Sequence, residues 1–443
     1  MKKLLLIPLA IVLVTALIFG GCKPAPEAPK EILIGGADTH TGVYSAFTLG
    51  GFVGVEAATA DINKLGGIYI EEAGAKLPVR IVSTDNESDE IKAGTLAEDM
   101  ILRDKVDFLI QGTSISMLAT PVAGVAERHK VPFVTAAGPM EPWYALWEQV
   151  TPHWKYTWNT SFSIVTPAPP GSVWDKPGMT LADVLTAYLE MIADQTNGKA
   201  GLYATDDPNG RGWYALCPSF LEQEGFSTVG VEEEVGMFPF GTTDFTPMIE
   251  EWKDEDIDLL IGNAPGAETG VLLRQANSLG LKPKSIAALQ AGMFYRDIAA
   301  WGGNLAHGIV TERWWDPSYD PEFCPGIAGR TPRTLVDYWN EKTGEPFNPA
   351  IGLGYMTAQL LFDGIERAGT LDKDIVNEAF KETDLPTIMY PIVYDETQFG
   401  RWPIFMAQWR RTDSPEIWEL GVIVSHSDHI PITAELIFPT PYG

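Results

Sequence analysis

The sequence predicts an α/β protein made of two doubly wound lobes, each with a central parallel sheet. Short apolar strands alternate with helices through residue 136, which is typical of parallel sheets covered on both faces. A Trp- and Pro-rich stretch interrupts this alternation, which restarts at Leu181. The chain has 443 residues, more than one hydrophobic core usually organises, so we expect two lobes.

The first unit begins after a Pro-rich segment. Its first helix is predicted because Val55, Ala58 and Ile62 recur at helical spacing and Gly66-Gly67 ends the pattern. The predicted elements of this unit are, in order, strand 31–36, helix 50–65, strand 78–84, helix 91–103, strand 107–111, helix 117–129 and strand 132–136.

The second unit repeats this build and ends in a β-like segment. Its predicted elements are helix 181–196, strand 200–204, helix 213–224, strand 229–235, helix 245–252, strand 257–262, helix 270–279 and strand 285–289. Three helices follow at 334–342, 354–368 and 373–381. The β-like segment comprises 404–410 and 417–424.

The N-terminus has the layout of a secretory signal. Positively charged Lys2 and Lys3 precede an apolar run and the small residues Gly20 and Gly21, and Cys22 follows directly. Small residues before a cysteine resemble the bacterial lipobox, which predicts a signal peptide over 1–21, lipidation of Cys22 and a Pro-rich linker over 22–30. We therefore expect an extracytoplasmic protein that a lipid anchors to the cell membrane. An uncleaved anchor and ordinary signal cleavage are the alternatives.

The composition argues against several classes of function. With 31 basic and 59 acidic residues the net charge is −28, which disfavours nucleic acid as a partner. The chain contains no G-x-S-x-G, H-E-x-x-H, P-loop or G-x-G-x-x-G motif and no metal-like Cys/His spacing, so we expect no enzyme activity, cofactor or metal. An oxidising compartment permits a disulfide between Cys217 and Cys324, and the sequence leaves that question open.

Small and hydroxyl residues end three strands of the first unit, at 39–42, 112–116 and 135–138. In an open parallel sheet, ligands bind beyond the carboxyl ends of the strands. Ser114, Ser116 and Gly138 are therefore candidate binding residues. Ser116 precedes a predicted helix, whose free N–H groups favour an anion such as a carboxylate. The alternative is that Ser116 only caps that helix.

With these segments in view, the chain resembles the leucine/isoleucine/valine-binding type of ABC-transporter solute-binding proteins, which have the type I periplasmic-binding fold. The resemblance covers nearly the whole mature chain. The matching segments are, in order, Thr41-Gly42, Gly54, ADINKLGGI (60–68), VDFLIQGTSISMLATPVAGVAERHKVPFVTAAG (106–138), FGTTDFTPMIEEWKDEDIDLLIG (240–262), LLRQANSLGL (272–281) and YDETQFGRWPIFMAQWR (394–410).

The resemblance implies two Rossmann-like lobes that three hinge crossovers join and that close on a small molecule. It places the crossovers near 156–159, 312–315 and 385–393. The N-terminal lobe would comprise 31–158 and 316–384, and the C-terminal lobe 159–315 and 385–443.

The resemblance also assigns the cleft residues. It implies that Phe47 covers the ligand, that Ser116 holds its carboxylate, that Ala137 offers backbone groups and that Asn209 lines the second lobe. Two positions depart from the family pattern. Pro139 replaces a hydroxyl residue, and Ala291 replaces an acid that binds the ligand's ammonium group in some members.

These departures put ordinary recognition of leucine or valine in doubt, because a buried ammonium needs an acceptor. Trp143, Trp314 and Trp315 lie near the expected cleft, although core packing is the commoner role of Trp. We therefore predict a carboxylate-bearing solute with an apolar or aromatic body. An aromatic cage for a quaternary ammonium is the alternative.

Together these features predict the extracytoplasmic solute-binding component of an ABC importer of the branched-chain amino acid, amide and organic-acid type. Its partners would be a small-molecule solute, the permease and ATPase subunits, and the membrane through a lipid anchor. The alternative is a ligand-sensing receptor domain of the same fold that signals to a membrane partner.

Overall fold

The computed structural model describes residues 29–413 and 418–442. The predicted signal peptide, Cys22 and most of the Pro-rich linker lie outside these residues. Within the described ranges, no helix combines the length and the apolar character needed to cross a membrane. The predicted α/β class is confirmed, since two sheets with parallel centres alternate with helices along the chain.

The strands and helices are numbered in chain order. The strands are β1 (Ile32–Asp38), β2 (Ile68–Ile70), β3 (Ala75–Leu77), β4 (Val79–Asp85), β5 (Phe108–Ile115), β6 (Phe133–Gly138), β7 (Thr157–Ser161), β8 (Lys199–Thr205), β9 (Ser227–Val229), β10 (Met237–Phe238), β11 (Leu259–Ala264), β12 (Ser285–Gln290), β13 (Val310–Arg313), β14 (Asp384–Leu385), β15 (Ile392–Val393), β16 (Phe399–Arg401), β17 (Phe405–Arg411) and β18 (Trp418–Val424). The helices are α1 (Ser45–Lys64), α2 (Glu90–Asp99), α3 (Ser116–His129), α4 (Met140–Gln149), α5 (Leu181–Ile192), α6 (Pro208–Gln223), α7 (Thr246–Asp254), α8 (Gly266–Leu279), α9 (Tyr295–Trp301), α10 (Pro332–Thr343), α11 (Ala350–Ala368) and α12 (Lys373–Ala379).

Two sheets organise the molecule. The first has the order β16-β7-β6-β5-β1-β4, and all its pairs are parallel. The second has the order β10-β8-β11-β12-β13-β17-β18, with β9 also beside β8, and only β17 and β18 run antiparallel to their neighbours. Leu109 and Ile110 are adjacent in β5, so their side chains point to opposite faces of the first sheet. Both are buried, and helices therefore cover both faces, as is usual for parallel sheets.

Several local predictions were wrong. The predicted strand 229–235 shares only Val229 with the observed strand Ser227–Val229, and the residues after it form a turn. The Trp and Pro content of the stretch after residue 138 predicts irregular structure, yet this stretch contains α4. Pro142 lies in the first turn of that helix, where a missing N–H removes no helical hydrogen bond.

The chain crosses between the sheets three times, and the second crossing lies within the predicted 312–315, whereas the other two lie elsewhere than the sequence predicts. It leaves the first sheet after Ser161, because 157–161 is a strand of that sheet, and it leaves the second sheet after Arg313. The predicted third crossing at 385–393 instead contains the β14–β15 hairpin. Strand β16 lies in the range assigned to the C-terminal lobe, yet it pairs with β7, so the third crossing is residues 402–404.

Helix α11 fixes the returning chain onto the first lobe by close contact with α1. Gly54 of α1 and Gly354 of α11 lie against the partner helix's backbone, so a Cβ atom at Gly354 would overlap the carbonyl oxygen of Gly51. The absence of side chains at this crossing therefore lets the two helices approach closely. Thr357 of α11 also donates a hydrogen bond to the Gly112 carbonyl of β5 at 3.2 Å.

We predict that Gly354→Ala lowers the free energy of unfolding by about 3 kcal/mol, because backbone atoms of α1 cannot move aside as a flexible side chain does. Urea denaturation measures this change. The control is Gly212→Ala at an exposed position of α6, where no atom lies within 4 Å of the added Cβ, and we expect it to be neutral or to stabilise by up to about 1 kcal/mol. Equal effects of the two changes would contradict the proposed helix contact.

Candidate functional site

A cavity lies between the sheets, where the carboxyl ends of their central strands face one another. We call it the inner chamber, and its volume is about 50 Å³. Strands β5, β7, β11 and β13 each contribute a polar residue close to their carboxyl ends, which places the cavity where parallel sheets bind ligands. The inner chamber is lined chiefly by Phe47, Ser114, Ser161, Phe162, Trp213, Asn263, Glu312, Trp314 and Trp402.

A second cavity of about 300 Å³, the outer chamber, adjoins the first. It is lined by Tyr44 and Ser116 of the first unit and by Asp207 and Phe240 of the second, among others. Ile115, Gly138, Pro139, Asn209 and Gln290 line both chambers, so the two cavities form one cleft.

Aromatic rings form the walls of the inner chamber. The ring of Phe47 lies 4.8 Å from that of Phe294, edge to face, and 5.8 Å from that of Trp314. Phe162 lies 5.8 Å from Trp314 and 5.4 Å from Trp402. Since Phe47 belongs to α1 and Phe294 to the second unit, this cluster joins the two sides of the cleft.

Five polar atoms of inner-chamber residues are buried and have no hydrogen-bond partner within the described part of the chain. They are Ser161 Oγ, Trp213 Nε1, Asn263 Oδ1, Trp314 Nε1 and Trp402 Nε1. Buried polar groups without partners are costly in a folded protein, and their concentration in one cavity indicates a site for a polar ligand. Three of the five are indole N–H groups, which only donate hydrogen bonds.

Glu312 is the buried charge of the inner chamber. Its carboxylate oxygens accept the Gln290 backbone N–H at 3.0 and 3.1 Å, and this bond holds Gln290 at the positive φ of 62°. Burial raises the pKa of Glu312 to about 7, although the Gln290 N–H acts in the opposite direction. No Lys, Arg or His lines either chamber, among the residues that the structure describes.

Ser116 is the first residue of α3 and lines the outer chamber. Ile115 occupies the cap position, and no side chain caps the helix. The structure therefore does not support the alternative in which Ser116 only caps the helix. The Ser116 hydroxyl makes a long bond of 3.4 Å to the Pro139 carbonyl, which leaves it at the edge of the outer chamber.

Three predicted site residues line neither chamber. Asn159 occupies both backbone groups of Ala137, accepting from its N–H at 2.8 Å and donating to its carbonyl at 3.0 Å. Trp143 packs on Trp154 beneath the sheet, with 5.1 Å between ring centroids. Trp315 is fully buried, and its indole N–H donates to the Ile388 carbonyl at 3.0 Å.

Sequence reasoning missed several functional candidates. Ser161, Asn263, Glu312 and Trp402 line the inner chamber. Glu312 is detectable in principle, because it lies in the predicted crossing 312–315 and two residues before the predicted site residue Trp314. Ala291, where the resemblance expects an acid, lies in a buried turn outside both chambers.

The described residues contain no cluster of three or more His, Cys, Asp or Glu side chains that would hold a metal ion. Cys217 and Cys324 are both buried, free thiols, so the structure contains no bridge between them. Burial raises the pKa of each thiol.

The model of the family described as periplasmic binding protein matches residues 31–414. The chain belongs to this family. The resemblance inferred from the sequence motifs is thereby confirmed. Proteins of this family bind solutes outside the cytoplasm and are not enzymes, so the expected non-enzymatic class and extracytoplasmic location are confirmed as well. The lipid anchor stays a prediction.

Curated relatives are similar over most of their length. The Leu/Ile/Val-binding protein homolog 2 of Brucella abortus (strain 2308) is 24% identical over 388 residues, which cover 86% of this chain and 91% of that protein. The Leu/Ile/Val-binding protein of Escherichia coli (strain K12) is 23% identical over 345 residues, which cover 78% of this chain and 81% of that protein.

Solved structures share the fold. The leucine binding protein LivK from Thermotoga maritima MSB8 has a TM-score of 0.65 at 19% identity, covering 88% of this chain and 98% of that one. LivJ from Streptococcus pneumoniae, in complex with isoleucine, has a TM-score of 0.64 at 16% identity, covering 89% and 100%. The solute binding protein from Rhodopseudomonas palustris BisB5, in complex with 3,4-dihydroxybenzoic acid, has a TM-score of 0.65 at 19% identity, covering 91% and 99%.

We predict that Glu312→Gln changes how stability depends on pH. The pKa of Glu312 is about 7 in the folded chain, compared with 4.5 for an ordinary glutamate. Between these pH values the carboxyl group is protonated in the folded state and ionised in the unfolded state. The wild type therefore loses stability as pH rises from 4.5 to 7. The free energy of unfolding of Glu312→Gln, relative to the wild type, should therefore rise by up to about 3 kcal/mol between pH 4 and pH 8.

Urea denaturation at both pH values measures this difference. Glu222→Gln, which removes an exposed carboxylate of α6, is the control for loss of one negative charge. A pH-independent difference between Glu312→Gln and the wild type would contradict the raised pKa.

Proposed function

We propose that this protein is the solute-binding component of an ABC importer, and that it captures a small carboxylate-bearing solute with an apolar or aromatic body. The observation that carries the proposal is the inner chamber, where aromatic walls surround unpartnered hydrogen-bond donors between two sheets. The names of the curated relatives support it, since these are Leu/Ile/Val-binding proteins. The two solved relatives named with ligands bind isoleucine and 3,4-dihydroxybenzoic acid, and both ligands carry a carboxyl group.

The chemistry of the cleft supports a solute with oxygen acceptors at one end and an apolar body. The indole N–H groups of Trp213, Trp314 and Trp402 and the hydroxyls of Ser116 and Ser161 donate hydrogen bonds to such oxygens. The rings of Phe47 and the tryptophans supply flat apolar surface. Asn209 and Gln290 of the second unit line both chambers and so add polar side chains where the two cavities meet.

We propose that capture involves closure of two lobes. The N-terminal lobe comprises 31–161 and 314–401, which the three observed crossings delimit, and the C-terminal lobe comprises the rest. The contact of Phe47 with Phe294 spans the cleft and would form on closure. Excluding water in this way strengthens each polar contact with the solute.

The first test identifies a solute by thermal shift of the purified protein. The compounds are amino acids, aromatic and aliphatic carboxylates, and quaternary amines. A solute at a hundred times its Kd should stabilise the protein by about 2.7 kcal/mol. A lack of any stabilisation across all three classes would count against the proposed function.

We predict that Trp314→Phe and Trp402→Phe each weaken binding of the identified solute by about tenfold or more. Phenylalanine keeps most of the ring contact but removes the indole N–H, and a hydrogen bond to a charged acceptor contributes about 1.5–3 kcal/mol. Isothermal titration calorimetry gives the Kd.

The control for this prediction is Trp315→Phe. The Trp315 indole N–H bonds to Ile388 in the core, so this change should lower the Tm and leave the Kd of the folded protein unchanged. If all three variants bind equally well, the solute lies elsewhere.

We also propose that a lipid on Cys22 tethers the protein to the membrane, which the residue order at 18–30 supports. Cys22→Ser should move the protein from the membrane fraction to the soluble fraction or the medium, because the thiol that receives the lipid is lost. Immunoblots of fractionated cells measure the distribution. Cys217→Ser is the control, since Cys217 is buried in the fold, and an unchanged distribution of Cys22→Ser would contradict the anchor.

A further inference from the structure

A further large cavity lies at the opposite end of the second sheet from the cleft. We call it the distal cavity, and its volume is about 420 Å³. Leu260 and Ile286, near the amino ends of β11 and β12, line it, whereas the cleft lies at the carboxyl ends of these strands. Among the described residues, none lines both the distal cavity and a chamber of the cleft, so the two sites are separate.

Apolar side chains form most of the distal cavity. Those from the second sheet, α8, α9 and the adjoining turns include Leu260, Leu273, Leu281, Ile286, Trp301 and Leu305. The Trp301 indole N–H already donates to the Gly266 carbonyl at 2.8 Å, so its ring offers a ligand apolar surface. A water molecule occupies about 30 Å³ in the liquid, so the cavity has room for roughly a dozen non-hydrogen atoms. This is the size and lining of a small-molecule site.

The C-terminal segment forms one wall of the distal cavity. The Thr440 N–H donates to the Lys284 carbonyl at 2.7 Å, and the Tyr442 hydroxyl donates to the Pro283 carbonyl at 2.6 Å. Thr440 is only 6% exposed, and its hydroxyl is buried without a hydrogen-bond partner in the described part of the chain. An unpartnered buried hydroxyl on the lining of a cavity indicates that a ligand supplies the missing partner.

The charge at the distal cavity favours an anion. Arg274 of α8 lines it and donates one hydrogen bond, to the Trp301 carbonyl at 3.3 Å, which leaves further N–H groups of the guanidinium for a ligand. No Asp or Glu lines the cavity among the residues that the structure describes, although the whole chain contains 59 acidic residues. A cavity bordered by an arginine and by no carboxylate is therefore complementary to a negatively charged group.

His307 adds a neutral hydrogen-bond donor to this lining. Its Nδ1 accepts the Arg411 backbone N–H at 3.2 Å, and burial lowers the pKa of His307 below its ordinary value. The ring is therefore neutral at pH 7 and carries its proton on Nε2. The guanidinium of Arg274, the Nε2–H of His307 and the hydroxyl of Thr440 are thus three donors on one otherwise apolar cavity.

We propose that the distal cavity binds an amphipathic carboxylate with an aliphatic chain of about eight to ten carbons, a medium-chain fatty acid. Arg274 binds the carboxylate, and the leucine side chains and Trp301 cover the chain, whose burial supplies the main driving force. This site is additional to the cleft and does not rest on the proposed function.

Octanoate, octylamine and octanol test the proposal, because they share one chain length and differ in the polar end. The proteins are the wild type, Arg274→Gln and Arg333→Gln. Arg333 is an exposed residue of α10 and controls for the loss of one positive charge. Arg274 is exposed as well, so both variants should keep the Tm of the wild type. Isothermal titration calorimetry gives the Kd and the stoichiometry.

We expect octanoate to bind the wild type about tenfold more tightly than octylamine or octanol, because only octanoate pairs with the guanidinium. Arg274→Gln should remove this preference, and Arg333→Gln should retain it. The proposal is overturned if octanoate does not bind, if octanol binds equally well, or if Arg274→Gln leaves the Kd of octanoate unchanged.

The tryptophan variant of the cleft separates this site from the proposed function, since the cleft is itself proposed to bind carboxylates. Trp402→Phe should leave the Arg274-dependent binding of octanoate intact. If Trp402→Phe abolishes octanoate binding and Arg274→Gln has no effect, octanoate binds only in the cleft, and the distal site is overturned while the proposed function stands. If the solute screen fails but Arg274-dependent binding persists, the proposed function fails and the distal site stands.

Protection of an introduced thiol locates the ligand directly. Asn277→Cys places a thiol on the lining of the distal cavity, and Ser278→Cys, at the next and equally exposed position of α8, lies outside the lining. Both are made in the Cys22→Ser protein, in which the remaining Cys217 and Cys324 are buried. Octanoate at ten times its Kd should slow maleimide labelling of Asn277→Cys about tenfold and leave Ser278→Cys unaffected. Unchanged labelling of Asn277→Cys, or equal slowing of both variants, would overturn the site.

Discussion

Residues 402–404 are the constraint on which the cleft depends. These three residues join β16 at the edge of the first sheet to β17 of the second, so the two strand ends lie within about 15 Å of one another. Strand β16 is parallel to the first sheet, whereas β17 is antiparallel to β13. The connection therefore joins the carboxyl edges of both parallel sheets. Strands β7 and β13 end at these same edges, so all three crossings lie along one side of the cleft.

This topology explains why residues far apart in the chain share one cavity. Ser161 ends the strand before the first crossing, Trp314 follows the strand before the second, and Trp402 lies within the third. The inner chamber therefore contains residues from all three crossings or from the strands that lead into them. Asn209 and Gln290 of the second unit line the cleft together with the strand ends of the first unit at Ile115 and Gly138.

The inner chamber brings several unpartnered polar atoms together in one cavity. The core pairs its buried charges, as where Arg330 meets Asp61 at 2.7 Å, and Tyr355 donates to the same carboxylate. In the inner chamber, the Glu312 carboxylate has uncharged partners, the Gln290 N–H and the Thr311 hydroxyl, and the Trp314 and Trp402 indole N–H groups have no partner in the described part of the chain. This arrangement reduces the stability of the protein without solute and increases the gain on binding, because the cost of desolvating these groups is already part of the folded state.

Local sequence patterns determined the α/β class, most helices and strands of both units, and the strand ends where the candidate site lies. They also identified six residues of the two chambers, because strand ends and loop positions can be located from periodicity and from the family motifs. These residues are Phe47, Ser114, Ser116, Gly138, Asn209 and Trp314.

Only the tertiary structure decided which side chains enter the cleft. Asn159, twenty-two residues away, occupies the backbone of Ala137, and the Ile388 carbonyl fixes Trp315 in the core. The pairing of β16 with β7 brings Trp402 to the inner chamber, and burial between two sheets gives Glu312 its raised pKa. Strand pairing and burial depend on partners distant in sequence, whereas periodicity reports only the face that a residue shares with its near neighbours.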